Sequence, residues 1–517
     1  MNIKDKSILL ILIPICVIFL LTYSWLSFTS QEKFTSPDEN VNLFFIEKYS
    51  QTGKLSYYEP LNKITFGYTR PRNSVSVGDK VVPNGFTGMY VVYGTIATII
   101  PQAILFITPL LSILGGLFLF VLTSAIFNKK VALISVLLLF TLPPYWFWSS
   151  MSMFNNVPAT VFFIGGIGFL LQGFKKNRFG FYLASALCFG LNEFFRFTDI
   201  IYLLPTIALC FFFKKQLNIK YLSIALIFYV MTIMPIFLIN KELFGNFLSF
   251  GYTQSNSTPG NFVDQFLGKI RLFLLPSGFH PDRIESNFFN YFISYIPFAS
   301  LLVLFGILYE LFVKETKEVK FYVIYYLILS AWILIYYGSG IYWGINNFSM
   351  DASYIRYFLP IYIMAIPIVS NTLFSLHKTL SLFFIVAMII ISVLNTNLLK
   401  SGLVDIKKSR DIVYAQSVSV TKVTERNSII ITTMSDKILF PERKVVIYGP
   451  GYDANNFKYK TLVEIVLNLK NKGENTYILN DRNDLDIKKL VTLLESHKIS
   501  LREINGFSGL YKIYDKS

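Results

Sequence analysis

Ser36-Pro37-Asp38-Glu39 stands shortly after an apolar run that extends from Ser7 to Phe28. That run has the length of a bilayer-crossing helix, about 20 residues. It is too long for a signal-peptide core, and no small-x-small cleavage site follows it. The chain therefore crosses a membrane and then meets two adjacent carboxylates at the membrane mouth. Such a pair is costly to hold unless water, a metal or a partner charge compensates it. Pro37 fixes its own φ and suits the first position of a helix. Asp38 and Glu39 then fall in the first turn, where the helix dipole favours negative charge. Val41, Leu43, Phe44, Phe45 and Ile46 follow as an apolar face. The stretch reads as a short helix on the bilayer surface that presents an acid pair to a cavity. Taken alone, the dipeptide reads first as the ordinary acidic start of a helix; the remainder of the chain shifts the balance.

Of the 517 residues, 53% are hydrophobic and 15% charged, against about 25% charged in an average soluble protein. Mean hydropathy is +0.51. The 51 Phe and 32 Tyr suit lipid faces and interfacial belts. This composition defines an α-helical polytopic membrane protein. The formal net charge of +16 would suggest nucleic acid in a soluble chain. Here the lysines lie between apolar runs, so membrane topology accounts for much of the charge and no nucleic-acid partner is expected. Cys16, Cys188 and Cys210 all lie within apolar runs, and His280, His377 and His497 are scattered. Neither set has the spacing of a disulfide framework or a His/Cys metal site. A divalent cation held by carboxylates stays compatible with the sequence.

About eleven apolar segments approach spanning length: 7–28, 104–127, 131–149, 156–173, 179–195, 199–213, 219–239, 290–313, 320–338, 355–375 and 379–398. One set of polar segments is short and basic, with Lys4 and Lys6, Lys129 and Lys130, Lys175, Lys176 and Arg178, Lys214, Lys215 and Lys220, Lys314, Lys317 and Lys320, and Lys378. By the positive-inside rule these are cytoplasmic. The other set, 29–103, 146–156, 240–289 and 339–354, is longer and richer in Pro, Gly, Asn and aromatics. These segments are expected on the outer face, and so is the tail. The chain thus reads as a membrane domain over 1–400, with 29–103 as its first outer loop, and a soluble extracytoplasmic α/β domain over 401–517. In that tail, 428–433, 444–447, 477–479 and 510–514 have strand character, while 461–469 and 485–494 have helical spacing. This alternation predicts a partly parallel sheet.

Several charged residues gather at the outer border. Glu193, Arg196 and Asp199 lie between two short spans, beyond the second outer loop and its Asn155. Arg356 begins the tenth span, Arg271 lies in the 240–289 segment, and Arg70 and Arg72 lie in the first loop. Any one arginine at this depth is explained by snorkelling to the interface. Several on the same face as an acid pair describe a cavity with a carboxylate base and a phosphate clamp.

In their order, these features resemble the GT-C class of membrane glycosyltransferases, in the protein O-mannosyltransferase and aminoarabinose-transferase branch. The features are Pro37-Asp38-Glu39 after the first span, Phe147 to Asn156, Gly190 to Asp199, Leu243-Phe244-Gly245-Asn246, Pro276-Ser277-Gly278 and Tyr354-Ile355-Arg356-Tyr357. The resemblance covers roughly 1–400. It implies transfer of a sugar from a polyprenyl-phosphate carrier to an acceptor hydroxyl on the outer face, with Asp38 as general base and Glu39 beside it. It further implies an integral cell-membrane enzyme in contact with membrane lipid, whose acceptor is a protein, a lipid or a glycan. An alcohol is a weak nucleophile until a carboxylate takes its proton. The departing lipid phosphate needs cationic stabilisation, for which Arg196, Arg356, Arg271, Arg70 and Arg72 are the candidates. Glu193, Asp199 and Asn155 would line the cavity. Asn155-Asn156 stands where many relatives carry an acidic residue, which weakens a metal-assisted variant. The competing functions are a lipid-linked saccharide flippase or polymerase, and a non-catalytic membrane scaffold.

Overall fold

The computed structural model describes residues 3–30, 33–251, 274–313, 316–342 and 349–515. Among these, six helices are long and apolar enough to cross a membrane: Leu10–Thr29, Pro101–Ile126, Asn156–Lys176, Ile219–Phe244, Lys317–Gly338 and Lys378–Val423. The number rises to eight if two bent pairs each count as one span. Lys129–Thr141 and Pro143–Ser150 meet at 57°, and Pro281–Ser294 and Pro297–Phe312 at 101°. Both bends have a proline cause. Leu142 precedes Pro143 with an extended backbone, and Ile296 precedes Pro297 outside the helical region; a proline ring excludes the preceding residue from helical geometry.

Of the roughly eleven expected spans, six to eight have crossing length among the described residues. The segments that fall short are still apolar helices: Phe179–Phe195, Phe197–Phe212 and Leu359–Ser375. At 1.5 Å per residue, 17 residues reach about 25 Å, short of the roughly 30 Å hydrocarbon core. The first of them stops at Arg196, whose φ of −152° leaves the helix. A 3₁₀ turn over Phe197–Tyr202 then separates it from the next.

The chain divides into two compact units. The first comprises Met1–Thr29, Leu105–Ile236 and Ser257–Ile406. Its core is apolar and strongly aromatic, with Tyr23, Tyr145, Trp148, Tyr322 and Tyr354 buried. Close helix packing depends on Gly165-Gly166-Ile167-Gly168. A Cβ at Gly165 would lie 2.7 Å from the Phe118 ring, and one at Gly166 2.7 Å from the Phe189 ring. Small residues are what let membrane helices approach in this way.

The second unit comprises Ser30–Ile104, Phe237–Asn256 and Lys407–Ser517. It groups the segment after the first apolar helix with the tail. Strands β1 (Tyr57–Tyr58), β2 (Ser74–Val77) and β3 (Lys80–Pro83) form an antiparallel sheet in the order β1-β3-β2. Gly78, at φ +60°, makes the tight turn between the last two. A second sheet contains β4 (Ile429–Thr432), β5 (Lys444–Ile447), β6 (Thr476–Leu479), β7 (Ile499–Glu503) and β8 (Leu510–Asp515) in the order β5-β4-β6-β8-β7. β4 pairs in parallel with β5 and β6, while β8 is antiparallel to both β6 and β7. The open edge of β5 is capped by the first loop: Ile447 N donates to Tyr68 O at 2.9 Å, and Thr69 bridges Val446. Leu61 enters the core of the same sheet with Ile431, Val446 and Ile478. An unpaired strand edge is a liability, and here the loop removes it.

Candidate functional site

In the second unit, the acid pair begins a helix spanning Pro37–Thr52. Ser36 is its N-cap, with its Oγ accepting from Asp38 N at 3.2 Å, and Pro37 opens the first turn. The lead-in is closed on itself by Asn40. Its Nδ2 donates to Phe34 O at 3.0 Å and Ser36 O at 3.1 Å, and its Oδ1 accepts from Phe34 N at 3.3 Å. Lys33 Nζ anchors the start of this segment by donating to Phe440 O at 2.8 Å, and it pairs with Glu442.

The two carboxylates have different surroundings. Asp38 is half-buried and Glu39 fully buried. Successive helical residues project about 100° apart, so they serve different partners. Glu39 Oε1 accepts from Arg410 Nη2 at 2.9 Å. Burial pushes the Glu39 carboxyl up to about 7, with the Arg410 guanidinium pulling the other way. Arg410 Nη1 donates to Ser30 Oγ at 3.1 Å, and the Arg410 guanidinium lies over the Phe34 ring at 4.5 Å.

Arg70 and Arg72 are engaged with the tail. Arg72 Nε donates to Asp436 Oδ1 at 2.6 Å and Arg72 N to Asp436 Oδ2 at 2.8 Å. Asp436 is itself only 1% exposed. Arg70 donates to Ser74 O, to Gly67 O at 3.2 Å and to Tyr452 Oη at 2.7 Å. To hold a phosphate, both would have to leave these partners. Arg271 lies outside the described residues.

The first unit brings a second group together. Arg196 Nη1 pairs with Asp199 Oδ1 at 2.8 Å, and both residues are buried. Asn192 Nδ2 donates to Asp199 Oδ2 at 3.4 Å and to Ala159 O at 3.0 Å. Asn155 Nδ2 donates to Phe195 O at 3.3 Å, which ties the 146–156 segment to the same helix end. Glu193 faces elsewhere, with Oε2 accepting from Tyr229 Oη. The Arg196 guanidinium lies 5.1 Å from the Tyr337 ring and 5.0 Å from the Tyr357 ring. Arg356 lies over Trp148 at 5.3 Å, Phe154 at 4.7 Å and Tyr357 at 5.3 Å. Aromatic faces attract a guanidinium through their quadrupole, while its N–H donors lie in its own plane. The arrangement is therefore chemically able to present two cations to an anion. Among the described residues, no group of three or more His, Cys, Asp and Glu side chains is placed to hold a metal ion.

Sequence reasoning passed over Arg410 and Tyr337, and gave Tyr357 and Trp148 no role within the stretches it quoted. Arg410 carried a signal. Leu403, Ile406, Arg410, Val413, Ser417 and Val420 share the spacing of a helix's inner face, and all are buried. A charged residue on a core stripe needs a partner.

Comparison with known proteins agrees with this architecture. Residues 96–246 match the family model described as dolichyl-phosphate-mannose-protein mannosyltransferase. The fold is similar to that of ArnT from Cupriavidus metallidurans bound to undecaprenyl phosphate, with a TM-score of 0.56 and 9% identity, over 98% of this chain and 97% of that one. It is also similar to AglB, the archaeal oligosaccharyltransferase from Archaeoglobus fulgidus, in complex with an inhibitory peptide and a dolichol-phosphate. There the TM-score is 0.53 and the identity 11%, over 98% of this chain and 74% of that one. No curated protein matches the sequence. The chain is a polytopic α-helical membrane protein, and its fold is of the class that ArnT and AglB represent. The fold does not single out a mannosyltransferase branch within that class.

Proposed function

We propose that this protein is a membrane glycosyltransferase that moves a sugar from a polyprenyl-phosphate carrier to an acceptor hydroxyl on the outer face of the membrane. The observation that carries the reading is the chain-long likeness to two structures solved with polyprenyl phosphates, ArnT and AglB. The half-buried Asp38 at a capped helix start and the arginines beside Tyr357 supply the chemistry such a reaction needs.

Asp38 accepts the proton of the acceptor hydroxyl. The hydroxyl oxygen attacks the anomeric carbon and forms the new glycosidic bond. The bond from that carbon to the phosphate oxygen breaks, and its electron pair leaves with the lipid phosphate. Direct displacement inverts the anomeric centre. Arg196 and Arg356 stabilise the charge that grows on the phosphate, the usual largest contribution in such steps. Asp38 then releases its proton to water. The basic short connections support an outer site and an extracytoplasmic tail.

The test uses purified protein in liposomes with a polyprenyl-phosphate sugar. A transferase releases free polyprenyl phosphate and glycosylated acceptor. Translocation of the intact donor without release would assign the chain to the flippases, and no effect on the donor would assign it to the scaffolds.

A further inference from the structure

We infer that Arg410 is a positioning residue for the transfer reaction, holding the Asp38 helix start through its ion pair with Glu39. The inference rests on Asp38 being the base.

Arg410 grips the lead-in from both sides. One nitrogen reaches Ser30 Oγ at 3.1 Å, before the acid pair, and another reaches Glu39 Oε1 at 2.9 Å, immediately after Asp38. Between them the guanidinium covers the Phe34 ring at 4.5 Å. Phe34 is in turn bonded through its backbone to Asn40, so the contact reaches the cap that aims Asp38. Glu39 is the residue next to Asp38, and a side chain locked to a buried partner fixes the backbone that carries its neighbour. Arg410 is 3% exposed and Glu39 fully buried. Water therefore offers neither charge a substitute partner, and the pair holds one geometry. A shift of about 1 Å in a reacting group is enough to cost roughly 100-fold in rate. Arg410 thereby makes the helix Leu403–Val423 part of the apparatus that aims the base, although it lies 371 residues from Glu39.

A purely structural pair and a positioning pair are separated by neutralising both partners at once. Glu39→Gln with Arg410→Gln leaves no unpaired buried charge, so the full-length protein is expected to fold. Two quantities are read: hydrogen exchange of the Asp38, Glu39 and Asn40 amides, and single-turnover transfer at saturating donor. Exchange is expected to rise about tenfold or more and turnover to fall roughly 10–100-fold, with donor affinity unchanged and Arg410→Lys recovering part of both losses. Unchanged exchange in the double variant overturns the inference whatever Asp38 does. Raised exchange with normal turnover overturns it when Asp38→Asn is inactive. If Asp38→Asn is itself near normal, the base reading fails, and raised exchange upholds Arg410 as what holds the helix start. Should the double variant not fold, Arg410→Lys alone is read by the same two measurements, with smaller changes expected.

Discussion

Arg196 and Arg356 approach one ring: the Tyr357 centroid lies 5.0 Å from the Arg196 guanidinium and 5.3 Å from that of Arg356. Two cations that share a ring are held there by what compensates them. Tyr357 is one such element, Asp199 is another, and a lipid phosphate would be a third.

If these arginines hold the donor phosphate as proposed, removing the ring weakens that hold. Tyr357→Leu is expected to reduce donor affinity by about 3–30-fold, the worth of one or two cation–π contacts, with Tyr357→Phe close to wild type. Arg356→Leu should weaken donor binding further while sparing acceptor binding. The measurement is equilibrium binding of a polyprenyl-phosphate sugar. Unaltered affinity in both Leu variants would remove this cluster from donor recognition.

Arg72, like Arg196, already has a buried carboxylate partner, and its backbone N–H is held there as well. It pairs with the buried Asp436. Arg72→Met should destabilise the protein by about 3–5 kcal/mol by leaving that carboxylate unpaired, with donor affinity unchanged in the folded fraction. Denaturant unfolding and donor binding on the same preparation decide the matter. Lost affinity without lost stability would return Arg72 to the clamp.

Glu39 provides a pH signature. Its carboxyl rises from 4.5 to about 7 on folding, chiefly through burial. Between those values the folded protein holds a proton that the unfolded chain has released. Its contribution to stability is therefore greatest at low pH and is lost as pH rises through about 7. The difference in stability between wild type and Glu39→Gln should change by on the order of 3 kcal/mol between pH 5 and pH 8. Parallel pH profiles for the two proteins would contradict this.

Much of the fold was legible because it follows local patterns. Each expected span coincides with an apolar helix. What the sequence concealed was length and bending, as at Leu142-Pro143 and Ile296-Pro297, where continuous apolarity masks a break. In the tail, Ile429–Thr432 and Lys444–Ile447 were readable as apolar runs. Ile499–Glu503 was not, since an edge strand with exposed Arg502 and Glu503 has little apolar signal. At the site, Pro37 announced the helix start. Its partner Arg410 could not be paired with Glu39 from sequence, because nothing local relates residues 371 positions apart. Arg70 and Arg72 illustrate the converse. Their charge was visible, but their partners Tyr452 and Asp436 lie in the tail, and only the folded chain brings them together.

The central claim is that Asp38 is the base. Asp38→Asn preserves the shape and removes the basicity. Single-turnover sugar transfer at saturating donor should fall by about 10²–10⁴-fold, the usual worth of general base catalysis, with donor binding intact. Near-normal transfer by this variant, in protein that binds donor as wild type does, would contradict the mechanism.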